Sequence, residues 1–257
     1  MAPGHAAAPG TTRRQSVSLL TMVRHGQASF LASNYDQLSE IGERQSRKLG
    51  RYWSARRTII DAVYTGPRLR QRNSAAFAGV EYEDAGNPWP SPIVLDDLDE
   101  YDLDGLMGRL APRLAEQNPD HATLVARYER SKIEGGEPRM RAFQRMFESL
   151  MQHWQTADPS GLDLESWPAF CGRVRRVIRT IQESAGHGKH VAVFTSGGFI
   201  ACSVQQALGV ADTMALELNW RIRNSSLTEF VFTPDRFTLD SFNAIPHLDE
   251  PALRTYR

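Results

Sequence analysis

The spacing of apolar positions changes along this chain, and the changes predict its architecture. Val17 to Val23 is a short, largely apolar run stopped abruptly by Arg24-His25-Gly26. That pattern predicts a buried strand delivering side chains to its carboxyl end. Beyond a loop from Gln27 to Leu38, Ser39 is placed to cap a helix with Ile41, Gln45, Leu49 and Trp53 on one face. Ile59 to Tyr64 is rich in strand formers and stops at Thr65-Gly66-Pro67, after which a helix begins near Arg68 with Arg70, Ser74 and Phe77. Strand, loop and helix have then occurred twice, the rhythm of a parallel α/β sheet.

Ile93-Val94-Leu95 predicts a further short strand, and from Gly105 to about Ser160 the period becomes helical throughout. Within that stretch Met140, Phe143, Phe147, Leu150 and Trp154 form one stripe, whose expected place is the core rather than a cofactor pocket. Ser166 should cap a helix carrying Trp167, Phe170, Val174, Ile178 and Ile181 to Gly186. His190 to Thr195 predicts a central strand, turned by Ser196-Gly197-Gly198 into a helix over Phe199 to Leu208. Leu227 to Phe232 and Phe237 to Phe242 predict two last strands joined at Thr233-Pro234-Asp235. The expectation is an α/β three-layer sandwich with a mostly parallel central sheet, interrupted by a helical insertion at about 105–160.

Composition narrows this picture without redirecting it. The 257 residues suit one large domain, expected over 16–257, behind a flexible Ala/Pro/Gly-rich tail at 1–15. Thirty basic residues balance thirty acidic ones, which gives no reason to expect a nucleic-acid or membrane surface. Nothing approaches 18 consecutive apolar residues, and the tail lacks the apolar region of a secretory signal, so the expected location is cytoplasmic. Cys171 and Cys202 fall in different predicted helices and make neither a disulfide framework nor a metal-binding spacing, so they are expected to be free thiols. The oligomeric state is left open.

The chemistry-bearing residues cluster at strand ends, where α/β sheets bind ligands. Arg24 offers a planar fork of donors to an anionic oxygen, and His25 is a nucleophile or base that titrates near neutrality. Asp96 to Asp104 holds six acids in nine residues, ordinarily a solvated face. Spacing does not decide which of them turns inward, and Asp99 and Asp102 rival Glu100. A surface place in an arginine-rich turn is the alternative for Arg70, which Arg68 and Arg72 flank.

Four stretches, in order, resemble the histidine phosphatase superfamily, the phosphoglycerate mutase-like proteins. Met22-Val23-Arg24-His25-Gly26-Gln27 looks like the family's signature, and Leu38 to Ser46 is similar to its first-helix pattern. Val63 to Arg70, continuing to Ser74-Ala75, resembles its Ser-Pro-Leu-x-Arg-Ala turn, and Leu98-Asp99-Glu100 its Leu-x-Glu. One departure stands out. The family's second histidine, in a Val-x-His-Gly-Gly context, is here Ser196 within Val193-Phe194-Thr195-Ser196-Gly197-Gly198.

The resemblance implies a metal-independent phosphomonoesterase that needs no cofactor, acts on a small phosphorylated metabolite and also binds inorganic phosphate. His25 would be the nucleophile that becomes phosphohistidine, and Glu100 the proton donor, its pKa raised by its acidic neighbours. Arg24, Arg70 and Ser196 would bind the phosphoryl group, with Gln27, Ser29, Asn34 and Gly197 as further possible contacts. His247 is a candidate to compensate for the missing histidine, although a surface loop position is equally plausible for it. Losing one preorganised donor typically lowers rate by about two to three powers of ten, so slow but real activity is expected. The helical insertion is expected to cover the pocket and set substrate choice, and Arg109, Arg113, Arg139 and Arg141, in or beside it, are candidates for a distal anion, with surface positions as the default. Mutase-type phosphoryl transfer and a catalytically weak phosphate-binding protein are the alternatives. A serine hydrolase centred on Ser196 would need a glycine where Phe194 stands.

Overall fold

A computed structural model of the chain describes residues 17–28 and 36–256; the tail expected at 1–15 lies outside the described residues. Strands β1 (Ser18–Arg24), β2 (Ala62–Thr65), β3 (Ile93–Val94), β4 (His190–Thr195), β5 (Leu227–Thr233) and β6 (Arg236–Ala244) form one sheet in the order β3-β2-β4-β1-β5-β6. The β2–β3, β2–β4 and β1–β4 pairings are parallel, and β5 joins β1 and β6 antiparallel. Arg24 is paired with Thr195 in the β1–β4 register, so the ends of both central strands lie side by side.

Alternation along the strands fills both faces of the sheet. Leu20, Met22, Tyr64, Val191 and Val193 belong to one buried cluster, while Val23, Val63, Ala192 and Phe194 belong to the other. The second cluster is closed by α1 (Glu40–Ala55) and α2 (Leu69–Asp84) through Leu49, Trp53, Ala75, Ala78 and Tyr82. Ser39 caps α1, its hydroxyl accepting from the Gly42 N–H at 3.2 Å. Gly26 and Gly42 let the end of β1 touch α1, since a Cβ on Gly26 would lie 2.4 Å from the Gly42 carbonyl oxygen.

The first cluster is covered by α7 (Trp167–Ala185) and α8 (Gly197–Leu208). Residues from 103 to 156 run through α3 (Leu103–Gly105), a π-helical turn (Leu106–Leu110), α4 (Ala111–Gln117), α5 (Pro119–Glu134) and α6 (Gly136–Thr156). Their apolar side is continuous with the same cluster: Leu106, Leu110, Leu114, Phe147, Leu150 and Trp154 share a core with Phe170 and Val174 of α7. No helix among the described residues is long and apolar enough to cross a membrane.

Two boundaries and one additional element stand out against the sequence expectation. The strand expected from Ile59 begins at Ala62, because Ile59 is 74% exposed and the Asp61 carboxylate turns aside to accept from the His190 N–H at 2.8 Å. The helix expected from Phe199 begins at Gly197, with extended Ser196 before it, so both glycines lie in its first turn. A further helix, α9 (Thr213–Asn219), follows α8 where no element was expected. Cys171 and Cys202 are free and buried, their sulfurs 3.4 Å apart between α7 and α8.

Candidate active site

A cavity of about 670 Å³ opens at the carboxyl ends of β1, β2 and β4, and Arg24, His25, Arg70, Glu100 and Gly197 line its floor. His25 is 4% exposed and held at every backbone group. Its N–H donates to the Thr195 carbonyl at 2.9 Å, and its own carbonyl accepts from the Ser225 N–H at 3.3 Å. The ring is oriented as well. Nδ1 lies 2.7 Å from the Gly26 carbonyl, which can only accept, and Arg70 Nε–H points at Nε2 from 3.3 Å. The proton is therefore assigned to Nδ1, leaving the Nε2 lone pair toward Arg70 and the cavity. Burial first, then the charges of Arg70 and Arg24, hold the His25 pKa well below 6.5, so the ring is neutral at neutral pH.

Two arginines flank this nitrogen. Arg24, ending β1, donates through its guanidinium to the carbonyls of Ile222 and, at 2.8 Å, Tyr256. Arg70, in the first turn of α2, is 7% exposed and donates to Asp36 Oδ1 at 2.8 Å. Ser74, one turn later, accepts from the Gly26 N–H at 2.9 Å and donates to the Arg70 carbonyl, tying α2 to the loop that carries His25.

Glu100 faces them from the acidic run. That run is anchored by buried Leu98, whose carbonyl accepts from Thr195 Oγ1 at 2.7 Å, and by Arg173, which donates to the Asp97 and Asp99 carbonyls at 2.9 and 2.8 Å. Glu100 Oε2 accepts from the Gly198 N–H at 2.9 Å, in the first turn of α8. Burial raises its pKa, and hydrogen bonds from Gly198 and Tyr101 and the charges of both arginines oppose the rise. This corrects the expectation that neighbouring acids would raise it. Asp99 accepts from Arg68 at 2.7 Å and Asp102 from Arg109 at 2.9 Å, so each rival carboxylate is paired with its own arginine.

The remaining candidates divide by position. Gly197 lines the cavity, but Ser196 does not: it is 1% exposed and its hydroxyl accepts from Gln71 Nε2 at 2.8 Å. At this position it is Gly197 that faces the cavity, because the serine side chain turns back toward α2. His247 is likewise outside the cavity. It is buried 6.1 Å from the Tyr52 ring, with Nε2 2.9 Å from Ser225 Oγ, and supports a residue held at φ +59° rather than replacing the missing histidine. Gln27 is not among the lining residues, and its side-chain carbonyl accepts from Ser39 Oγ at 2.9 Å. Ser29 and Asn34 lie outside the described residues. Of the four distal arginines only Arg141 reaches the cavity, where Glu137 pairs with it.

The insertion does reach the cavity, through α6, but the side chains that form the upper wall were not singled out from the sequence. Met140 and Phe143 belong to the stripe expected to be core, yet they line the cavity together with Phe147, while Leu150 and Trp154 remain fully buried. Glu217, Asn219, Trp220 and Arg221 come from α9 and the turn after it. The polar-apolar alternation of Glu217-Leu218-Asn219-Trp220 carries no signal that could have placed them. Among the described residues, no group of three or more His, Cys, Asp or Glu side chains is placed to hold a metal ion.

Comparison with known proteins identifies the family and the fold. The sequence profile of the histidine phosphatase superfamily (branch 1) matches residues 20–153 and 132–245. None of the curated proteins matches the chain in sequence. Among solved structures, phosphoglycerate mutase from Bacillus anthracis superposes with a TM-score of 0.60 at 17% identity, covering 91% of this chain and 96% of that one. Phosphoserine phosphatase from Entamoeba histolytica, solved with 3-phosphoglyceric acid, gives 0.56 at 14% identity over 90% and 99% of the two chains. The α-ribazole phosphatase from Shigella flexneri gives 0.56 at 16% over 88% and 96%. At these identities the likeness is one of fold.

Proposed function

The chain belongs to the histidine phosphatase superfamily, and on that premise we propose that it is a metal-independent phosphomonoesterase working through a phosphohistidine on His25. The observation that carries this reading is the imidazole itself. A neutral ring, with Nδ1 fixed on the Gly26 carbonyl and Nε2 turned to the cavity beside Arg70, is a nucleophile in its reactive tautomer.

In the first step Nε2 attacks phosphorus and the P–O bond to the alcohol breaks in line. Arg24 and Arg70 balance the charge on the equatorial oxygens, as does the amino end of α8 at Gly197. Glu100, whose pKa burial raises, gives its proton to the departing alkoxide. In the second step the Glu100 carboxylate takes a proton from water, whose oxygen attacks the phosphohistidine; the P–N bond breaks, releasing inorganic phosphate and restoring His25 and the protonated acid. Two arginines and a helix terminus supply the positive charge that the missing histidine would have added. Ser196 supports this end of the site indirectly, by accepting from Gln71 of α2.

The test is hydrolysis of p-nitrophenyl phosphate in EDTA by the parent and by His25→Ala, with acid-labile, base-stable phosphate on the quenched protein as the second readout. Turnover and label in the parent, both lost in His25→Ala, are expected. Activity that survives His25→Ala overturns the mechanism; phosphate binding with no turnover leaves a phosphate-binding protein.

A further inference from the structure

We propose, resting on the hydrolytic reading above, that Asn219 is a further catalytic residue of this site. Its side-chain N–H donates to an equatorial phosphoryl oxygen and takes over the hydrogen bond that the missing histidine would have made.

The chain after β4 presents no side chain to the cavity at this point, because Ser196 is turned to Gln71 and its neighbour is Gly197. A side chain from another element fills the gap. Asn219, the last residue of α9, lines the same cavity as His25, Arg24 and Arg70. A Cβ added to Gly197 would lie 2.5 Å from Asn219 Oδ1 and 3.6 Å from Arg24 Nε. The carboxamide, the amino end of α8 and the Arg24 guanidinium therefore border one point of the floor.

The amide is also held in place. Nδ2 donates to Tyr101 Oη at 3.4 Å, and Tyr101 is anchored beside the acid. Its N–H donates to Glu100 Oε1 at 3.2 Å, and its ring lies against Gly198. A carboxamide carries two N–H donors, so Tyr101 takes one and the second can serve a ligand. A half-turn of the terminal amide exchanges its nitrogen and oxygen, so either end can be presented to the cavity. A neutral donor fixed before the reaction stabilises developing phosphoryl charge without a proton transfer. Removing one such donor typically lowers rate by about two to three powers of ten.

The test measures p-nitrophenyl phosphate hydrolysis and inhibition by orthovanadate, a mimic of the five-coordinate transferring group. The proteins are the parent, Asn219→Ala, Asn219→Asp and Tyr101→Phe, with circular dichroism and urea midpoints as checks of folding. Asn219→Ala should lower kcat by about a hundredfold and move KM by no more than about threefold. Vanadate inhibition should weaken by a similar factor, and inhibition by inorganic phosphate by less, because the bond is strongest in the transition state. Asn219→Asp keeps the shape and can accept from Tyr101 Oη but has no N–H to give, so it should lose at least as much. Tyr101→Phe, which removes only the brace, should lose no more than about fivefold in kcat. Near-parental kcat and vanadate inhibition in Asn219→Ala overturn the proposal. An equal loss in Tyr101→Phe does so too, since the amide would then act only through Tyr101. A parent without His25-dependent turnover overturns the hydrolytic reading. Calorimetric titration with vanadate then decides this one, by whether Asn219→Ala binds it more weakly than the parent or equally well.

Discussion

Arg70 points its Nε–H at His25 Nε2 from 3.3 Å, while its other end holds Asp36 at 2.8 Å. One guanidinium thus lies directly beside the nitrogen proposed as nucleophile and is braced from behind by a carboxylate. A planar fork can serve two partners in fixed directions; an ammonium cannot. Arg70→Lys is expected to lower kcat/KM for p-nitrophenyl phosphate by about two to three powers of ten. Steady-state kinetics check this, and near-parental activity would remove Arg70 from the site.

The two titrating groups bound activity from opposite sides. The proposed mechanism needs His25 neutral, and its pKa lies well below 6.5; it needs Glu100 protonated, and its pKa lies above 4.5. Rate should therefore fall on the acid side as His25 gains a proton and on the alkaline side as Glu100 loses one. Glu100→Gln should abolish the alkaline limb of the kcat/KM profile on p-nitrophenyl phosphate and keep the acid limb. An unchanged alkaline limb would assign the proton donor elsewhere.

Gly198 gives Glu100 its place. A Cβ added there would lie 2.3 Å from Glu100 Oε1 and 2.4 Å from the Tyr101 ring. Gly198→Ala must push the carboxyl away from the cavity floor. A loss of about a hundredfold in kcat is expected, accompanied by about 1–3 kcal/mol of stability from overpacking. Parallel kinetics and urea titration measure both.

Ser196 is bonded to Gln71 in a fully enclosed setting. Removing the hydroxyl leaves the Gln71 amide without this acceptor. Ser196→Ala should cost about 1–3 kcal/mol of stability, read from urea unfolding, with a smaller effect on kcat than Gly198→Ala. The opposite order would return the serine hydroxyl to the phosphoryl group.

His247 makes stability depend on pH. Burial lowers its pKa to about 3 in the folded chain, against 6.5 ordinarily. Between those values the unfolded chain binds a proton that the folded one refuses, so this contribution is complete above 6.5 and is lost as pH falls toward 3. His247→Gln should flatten the fall in unfolding free energy across that window, measured by urea titrations at stepped pH. An unaltered slope would contradict the burial of a neutral ring.

Local pattern determined a great deal. The apolar run ending at Arg24-His25-Gly26, the Ser39 and Ser166 caps and the hairpin at residues 233–236 all follow from period and turn chemistry, because those preferences act over a few residues. The resemblance then singled out Arg24, Arg70 and Glu100, which meet His25 at one cavity.

What tertiary structure alone decided depends on long-range neighbours. Glu100 is separated from the other five acids only by packing: Arg68 and Arg109 take its two rivals, while Gly198, 98 residues further along, takes Glu100. Ser196 and His247 looked like phosphate ligands by position, yet each is drawn away by a partner, Gln71 and Ser225, that no spacing rule connects to it. The stripe of α6 reads as one apolar face, and its period is indeed unbroken from Met140 to Trp154. Whether a given turn of that face meets the core or open space depends on how far the neighbouring elements extend, and a helix's own sequence does not encode that length.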